Sequence, residues 1–122
     1  MLLDSNIIIY AAKPEHEDLR RLIAEKAPAV SSVSYVEVLG FHRLEEQERR
    51  HFEAFFGSAR ILPLSQPVLD EAVRLRQARK MSLGDALVAS TALTHKLTLI
   101  TRNVDDFLKV EGLSILNPFE KS

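Results

Sequence analysis

Cysteine is absent from this 122-residue chain, so neither a disulfide framework nor a thiolate metal site can hold its fold, and a reducing cytosol is the expected compartment. Long apolar runs are absent as well. Every hydrophobic stretch is broken well short of the roughly 20 residues a membrane helix needs, and no signal pattern opens the chain. The expectation is a cytoplasmic protein with no membrane partner. Glycine is scarce: none of the four precedes a lysine and no GxGxxG occurs, which removes the P-loop and the dinucleotide fingerprint. The nucleophile elbow of serine hydrolases is missing too. His16, His42, His51 and His95 are dispersed with no HExxH pair, which argues against a histidine general base. Nor is there an excess of charge, since 16 Lys+Arg against 17 Asp+Glu leave a formal net charge of −1. The whole chain is thus no electrostatic magnet for nucleic acid. That argues against a DNA-binding module more than against a nuclease, which can gather acids in one cleft and leave bases on its rim.

What is present is the composition of a globular protein, 46% hydrophobic and 27% charged, at a length that fits one domain over residues 1–122. Short apolar runs alternate with helical patterns. Met1 to Leu3, "PAVSS", "RILPL", "LTLIT" and "LSILN" read as strands, the fourth most clearly because it is β-branched and apolar. Between them, Ser5 to Ala12, "EDLRRLIAEK", a stretch from Ser34 through "SYVEVLGFHRL", "EEQERRHFEAFF" ended by Gly57, "QPVLDEAVRLRQARK" and "SLGDALVASTALTHK" read as helices, and "NVDDFLK" as one helical turn. Phe52, Phe55 and Phe56 fall on one helix face and are expected in the core. Strands alternating with helices imply parallel pairing through crossovers, hence an α/β layer sandwich whose functional crevice lies outside the carboxyl ends of the strands.

Acids follow the strands. Asp4 comes directly after the first, Glu37 one turn into the helix after the second, Asp85 at the start of a long apolar helix, and Asn103 with Asp106 after "LTLIT". Each has a structural explanation: Asp4 as a cap, and Ser34 with Glu37, Ser82 with Asp85 and Asn103 with Asp106 at capping-box spacing. Capping does not predict that these helix starts should converge on one edge of a parallel sheet. Two unit charges ~4 Å apart repel by about 4 kcal/mol at an effective dielectric near 20. Such a pocket must either take up protons or hold a divalent cation. All-oxygen ligands without cysteine favour Mg²⁺ or Mn²⁺ over Zn²⁺, and a site of that kind suits metal-assisted hydrolysis of a phosphodiester.

"LLDSNIIIY", "SSVSYVEVLGF", "SLGDALVASTA" and "TLITRNVDDF", together with the closing "LSILNPF", make the chain resemble the PIN-domain ribonucleases, most of all the VapC toxins of bacterial and archaeal VapBC toxin-antitoxin pairs. The resemblance implies a PIN-like three-layer α/β sandwich with a short central parallel sheet flanked by helices. It implies a Mg²⁺- or Mn²⁺-dependent endoribonuclease, a homodimer, an RNA substrate and a VapB-like antitoxin that occupies a groove near the site. Carried over by position, Asp4 and Asp85 are the principal metal ligands and Glu37 the third acid. Asp106 supplies the fourth carboxylate, because Asn103 stands where some relatives have an acid. Ser5, Asn6, Ser34 and Thr101, with Asn103, are the positions implied to orient these ligands. A non-catalytic PIN-like protein-binding module and a structure-specific DNA nuclease remain open alternatives.

Overall fold

The computed structural model describes residues 1–120. Five short strands, β1 (Leu2–Leu3), β2 (Ala29–Ser31), β3 (Arg60–Leu62), β4 (Leu99–Ile100) and β5 (Ile115–Leu116), form one parallel sheet in the order β3-β2-β1-β4-β5. Six helices connect them: α1 (Ser5–Ala11), α2 (Glu17–Lys26), α3 (Ser32–Leu39), α4 (Glu46–Ser58), α5 (Gln66–Ala78) and α6 (Leu83–His95). A 3₁₀ turn over Val104–Asp106 follows β4. From β1 the chain builds outward through β2 to β3, then returns to place β4 on the other side of β1. The strand order therefore reverses between β1 and β4, and in open parallel sheets ligands bind at such a switch point, beyond the carboxyl ends of the strands.

The two-residue period of the strands divides the core into two layers. Leu2, Ala29 and Leu99 point to the face covered by Leu75 of α5, by Val88, Ala89 and Ala92 of α6, and by Phe107. Their neighbours Leu3, Val30 and Ile100 point to the opposite face, against Ile7, Ile8 and Ala11 of α1, Leu19 of α2, Val38 of α3 and Phe52 and Phe56 of α4. Each of the large side chains buried this way contributes about 1.5–3 kcal/mol. Helix α6 lacks the one-sided stripe of a surface helix because every residue from Ala86 to Ala92 is buried. A helix apolar all round is one covered on several sides, and α6 packs closely against α5 as well as lying on the sheet.

Several boundaries differ from the sequence reading. The helix expected from Ser34 through Leu44 starts at Ser32, is capped by Ser31, and stops at Leu39. It ends there because the chain draws in tightly at Gly40, where a Cβ would overlap the Val36 carbonyl. Gly57 does not end α4, which runs one residue further. Phe52 and Phe56 are core, whereas Phe55 is only half buried. Among the described residues no helix is long and apolar enough to cross a membrane.

Candidate active site

The register of β1 against β4 pairs Leu3 with Ile100, so the next residues on each strand, Asp4 and Thr101, emerge side by side at the switch point. Asp4 caps α1, its Oδ1 accepting from the Ser5 amide at 2.8 Å. Its Oδ2 accepts from Thr101 Oγ1 at 2.8 Å and from Asn6 Nδ2 at 3.1 Å. Thr101 is fully buried and fixed in turn by the Asn103 amide, which donates to its Oγ1 at 3.0 Å. Asn6 Oδ1 is buried beside this network without a partner among the described residues.

Glu37 is exposed on α3, one turn beyond the helix start, and reaches across to α1 and α6. Ser5 Oγ donates to Glu37 Oε1 at 2.7 Å and is hydrogen-bonded at 2.9 Å to Ser34 Oγ. Since each hydroxyl carries one hydrogen, both bonds are satisfied when Ser34 donates to Ser5 and Ser5 to the carboxylate. The other oxygen of Glu37 lies over Gly84 in the first turn of α6, 2.7 Å from where a Cβ would stand. Asp85 follows, half buried, its amide held by the cap Ser82 at 3.1 Å. Asp85 and Asp106 line one cleft of about 520 Å³ with Arg79, Lys80, Ser82 and Lys109.

The acids feel one another. Burial pushes the Asp4 carboxyl above the ordinary carboxylate range, the bonds from Thr101 and Ser5 pull it back, and the charges of Asp85 and Glu37 push it further up. Asp85 is raised chiefly by burial, opposed by Ser82, with Asp106 and Glu37 adding to the rise. No ion pair among the described residues involves any of these four acids. The donor set is thus all oxygen, anionic and unneutralised, which fits a hard divalent cation. Among the described residues no three of Asp, Glu and His already enclose an ion position. Glu37 and Asp106 are the exposed members, and Glu37 is held by the Ser5 hydroxyl.

All the sequence-derived site residues fall at this edge, but two local expectations need correction. Ser34 is not the cap of α3: Ser31 is, accepting from the Val33 amide at 3.2 Å, and Ser34 is buried behind Ser5. Asn103 does not cap the following turn through its side chain. Its backbone carbonyl accepts from the Asp106 amide at 3.1 Å, and the side chain is exposed. Two features escaped the sequence reading. Gly84 gives Glu37 its place, a role signalled only by a helix-weakening residue in an otherwise strong helical pattern. Arg102 lies 4.9 Å from the Tyr10 ring centre and 4.5 Å from that of Phe119, tying the last described residues to α1.

Comparison with known proteins places this geometry. The chain is 25% identical to Ribonuclease VapC2 of Rickettsia felis, over 95% of this chain and 96% of that protein. A second match, to Ribonuclease VapC1 of the same organism, is 46% identical but covers only 35% of this chain and 34% of the relative. Among solved structures, a toxin-antitoxin complex from Klebsiella pneumoniae superposes with a TM-score of 0.78 at 28% identity, covering 98% of both chains. The structure of VapBC2 from Rickettsia felis bound to a promoter DNA fragment superposes at 0.83, with 23% identity over 95% of this chain and 96% of that one. The family model described as PIN domain matches residues 1–113, and the chain belongs to that family.

Proposed function

We propose that this protein, as one PIN domain, is a VapC-type endoribonuclease that hydrolyses RNA phosphodiester bonds with Mg²⁺ or Mn²⁺ and is held inactive by a VapB-like antitoxin. The observation that carries this reading is the meeting of Asp4, Glu37 and Asp85 from three helices at the switch point of a parallel sheet, with no basic side chain among the described residues paired to any of them. Asp4 and Asp85 are the principal ligands, Glu37 a ligand that also positions and deprotonates the attacking water, and Asp106 with Asn103 closes the acidic pocket. A divalent ion held by these groups supplies Lewis-acid activation of water and offsets charge on the phosphoryl oxygens. Thr101, Asn6 and the Ser5 amide hold Asp4 in one orientation, and Ser34 with the Ser5 hydroxyl does the same for Glu37. Support for the antitoxin comes from the VapBC complexes among the structural neighbours. It comes also from an apolar groove of about 320 Å³ between α1, α2 and α4, lined by Ile8, Ile23, Phe52 and Phe55.

The test is digestion of labelled RNA and DNA side by side with Mn²⁺, in excess chelator, and with the Asp4→Asn protein, alongside calorimetric titration of Mn²⁺. RNA cleavage lost in chelator and in Asp4→Asn is expected, with saturable Mn²⁺ binding weakened in Asp85→Asn. Cleavage that survives either condition refutes the mechanism, absence of Mn²⁺ binding at millimolar concentration points to a non-catalytic module, and cleavage of DNA alone changes the substrate.

A further inference from the structure

The cleft beside Asp85 has a second wall, and that wall is basic. Arg79 and Lys80 sit in the short connection between α5 and α6, and Lys109 lies beyond the 3₁₀ turn. Arg21, Arg49, Arg50 and Arg74 pair with carboxylates on their own helices. Arg79, Lys80 and Lys109 make no ion pair within 4.0 Å among the described residues, although Asp85, Asp105 and Asp106 line the same cleft. Arg79 Nε is buried and has no hydrogen-bond partner among the described residues, so the guanidinium lacks an acceptor it would take. Three positive groups without an ion-pair partner suit an anion rich in oxygen. Guanidinium takes two phosphate oxygens in a fork, and lysine ammonium acts as a point charge on the next group.

Resting on the ribonuclease reading, we propose that Arg79, Lys80 and Lys109 seat the phosphates of the RNA strand next to the one being cut. Asp85 and Asp106 border both this seat and the acid pocket, so a strand held here presents its neighbouring phosphodiester to the acids. The seat positions the substrate and takes no part in bond breaking. It also gives a nearly neutral protein a local affinity for a polyanion that its net charge does not supply.

Fluorescence anisotropy of an end-labelled single-stranded RNA, recorded in chelator so that nothing is cut, tests the seat. Lys80→Ala/Lys109→Ala should weaken binding by about 10-fold at low salt and lower the slope of log K against log salt by about 1.4, at ~0.7 for each single-strand phosphate that is no longer neutralised. Arg79→Lys keeps the charge but loses the fork, and should weaken binding with little change of slope. With Mn²⁺, the double variant should raise KM by the same factor as the binding loss and leave kcat within twofold, which a merely structural role would not do. Lys26→Ala/Lys96→Ala removes equal charge outside the cleft and should bind as the parent does. Unchanged RNA affinity in Lys80→Ala/Lys109→Ala, with parental cleavage intact, overturns the seat and leaves the ribonuclease reading standing. A parent protein that neither binds nor cuts RNA overturns both.

Discussion

Gly84→Ala should separate stability from catalysis. The added Cβ would stand 2.7 Å from Glu37 Oε2 and 3.4 Å from its Cδ, whereas unstrained nonbonded contacts begin near ~3.5 Å, so the carboxylate must retreat by roughly 1 Å. It can do so because it is the far end of an exposed, flexible side chain. The bond from Ser5 at 2.7 Å is stretched or lost, costing about 1 kcal/mol. Alanine in a helix recovers about 0.5–1 kcal/mol over glycine. Net stability therefore changes by less than ~1 kcal/mol, a shift of melting temperature within about 5 °C for a domain of this size. Activity is a different matter, since displacement of a catalytic group by 1 Å can cost on the order of 10²-fold. Single-turnover RNA cleavage with Mn²⁺, read beside a thermal melt, should show a 10- to 100-fold slower rate, in round numbers set by that estimate, in a protein that melts almost as the parent does. Gly57→Ala is the matched control, because Gly57 lies inside α4 with nothing within 4 Å of a new Cβ; it should stabilise slightly and leave the rate alone. A Gly84→Ala protein that cuts at the parental rate would mean that Glu37 does not need the place the structure gives it.

In chelator, the raised carboxyls of Asp4 and Asp85 are a penalty on the folded state that is complete above their folded values and fades as pH falls toward the ordinary 3.8. The stability of the parent relative to Asp4→Asn should accordingly rise on acidification, while Mn²⁺ affinity falls over the same range because protons compete for the oxygens; melting curves that show the difference flat or reversed contradict the burial argument. Thr101→Val removes the donor to Asp4 Oδ2 and the acceptor of the Asn103 amide, so it should destabilise by about 1–3 kcal/mol in urea and weaken Mn²⁺ binding. Parental metal affinity in that variant would show that Asp4 needs no orientation. Arg102→Ala takes the cation from between Tyr10 and Phe119 and should cost about 0.5–2 kcal/mol with Mn²⁺ affinity unchanged, which separates the tie at the end of the chain from the site.

The elements were legible in the sequence wherever one period dominated. "LTLIT" and "PAVSS" read as strands, and the α5 and α6 segments read as helices, because pattern, β-branching and capping residues agreed. The parallel sheet followed from alternation alone. What the sequence could not give was anything decided by approach across the chain. Two adjacent serines and a third nearby, Ser31, Ser32 and Ser34, offered several starts for α3, and the choice of Ser31 depends on where β2 ends in the sheet. The role of Gly84 exists only because α3 and α6 meet, and the Ser5 to Glu37 bond spans 32 positions. Nor could spacing assign Arg79 and Lys109 to one cleft, since the 3₁₀ turn and the α5–α6 connection are neighbours only after β4 inserts beside β1.

Capping and metal binding looked like competing explanations of the same acids, and the structure shows why they need not compete. At α3 and α6 the cap is a serine, Ser31 or Ser82, whose hydroxyl satisfies an amide of the first turn. Asp85 is thereby released from that duty, and Glu37 lies beyond the first turn altogether, so both carboxylates are left available to other partners. Only Asp4 caps with its own carboxylate, because β1 delivers it directly onto the start of α1 with no residue between to serve as cap. Its second oxygen is the one held by Thr101 and Asn6. The start of α6 also carries partial positive charge from its unpaired amides, and Asp85 lies in its first turn, a placement worth about 0.3–1 kcal/mol. That offsets part of a repulsion that no paired basic side chain among the described residues relieves, and helps the fold keep its acids together.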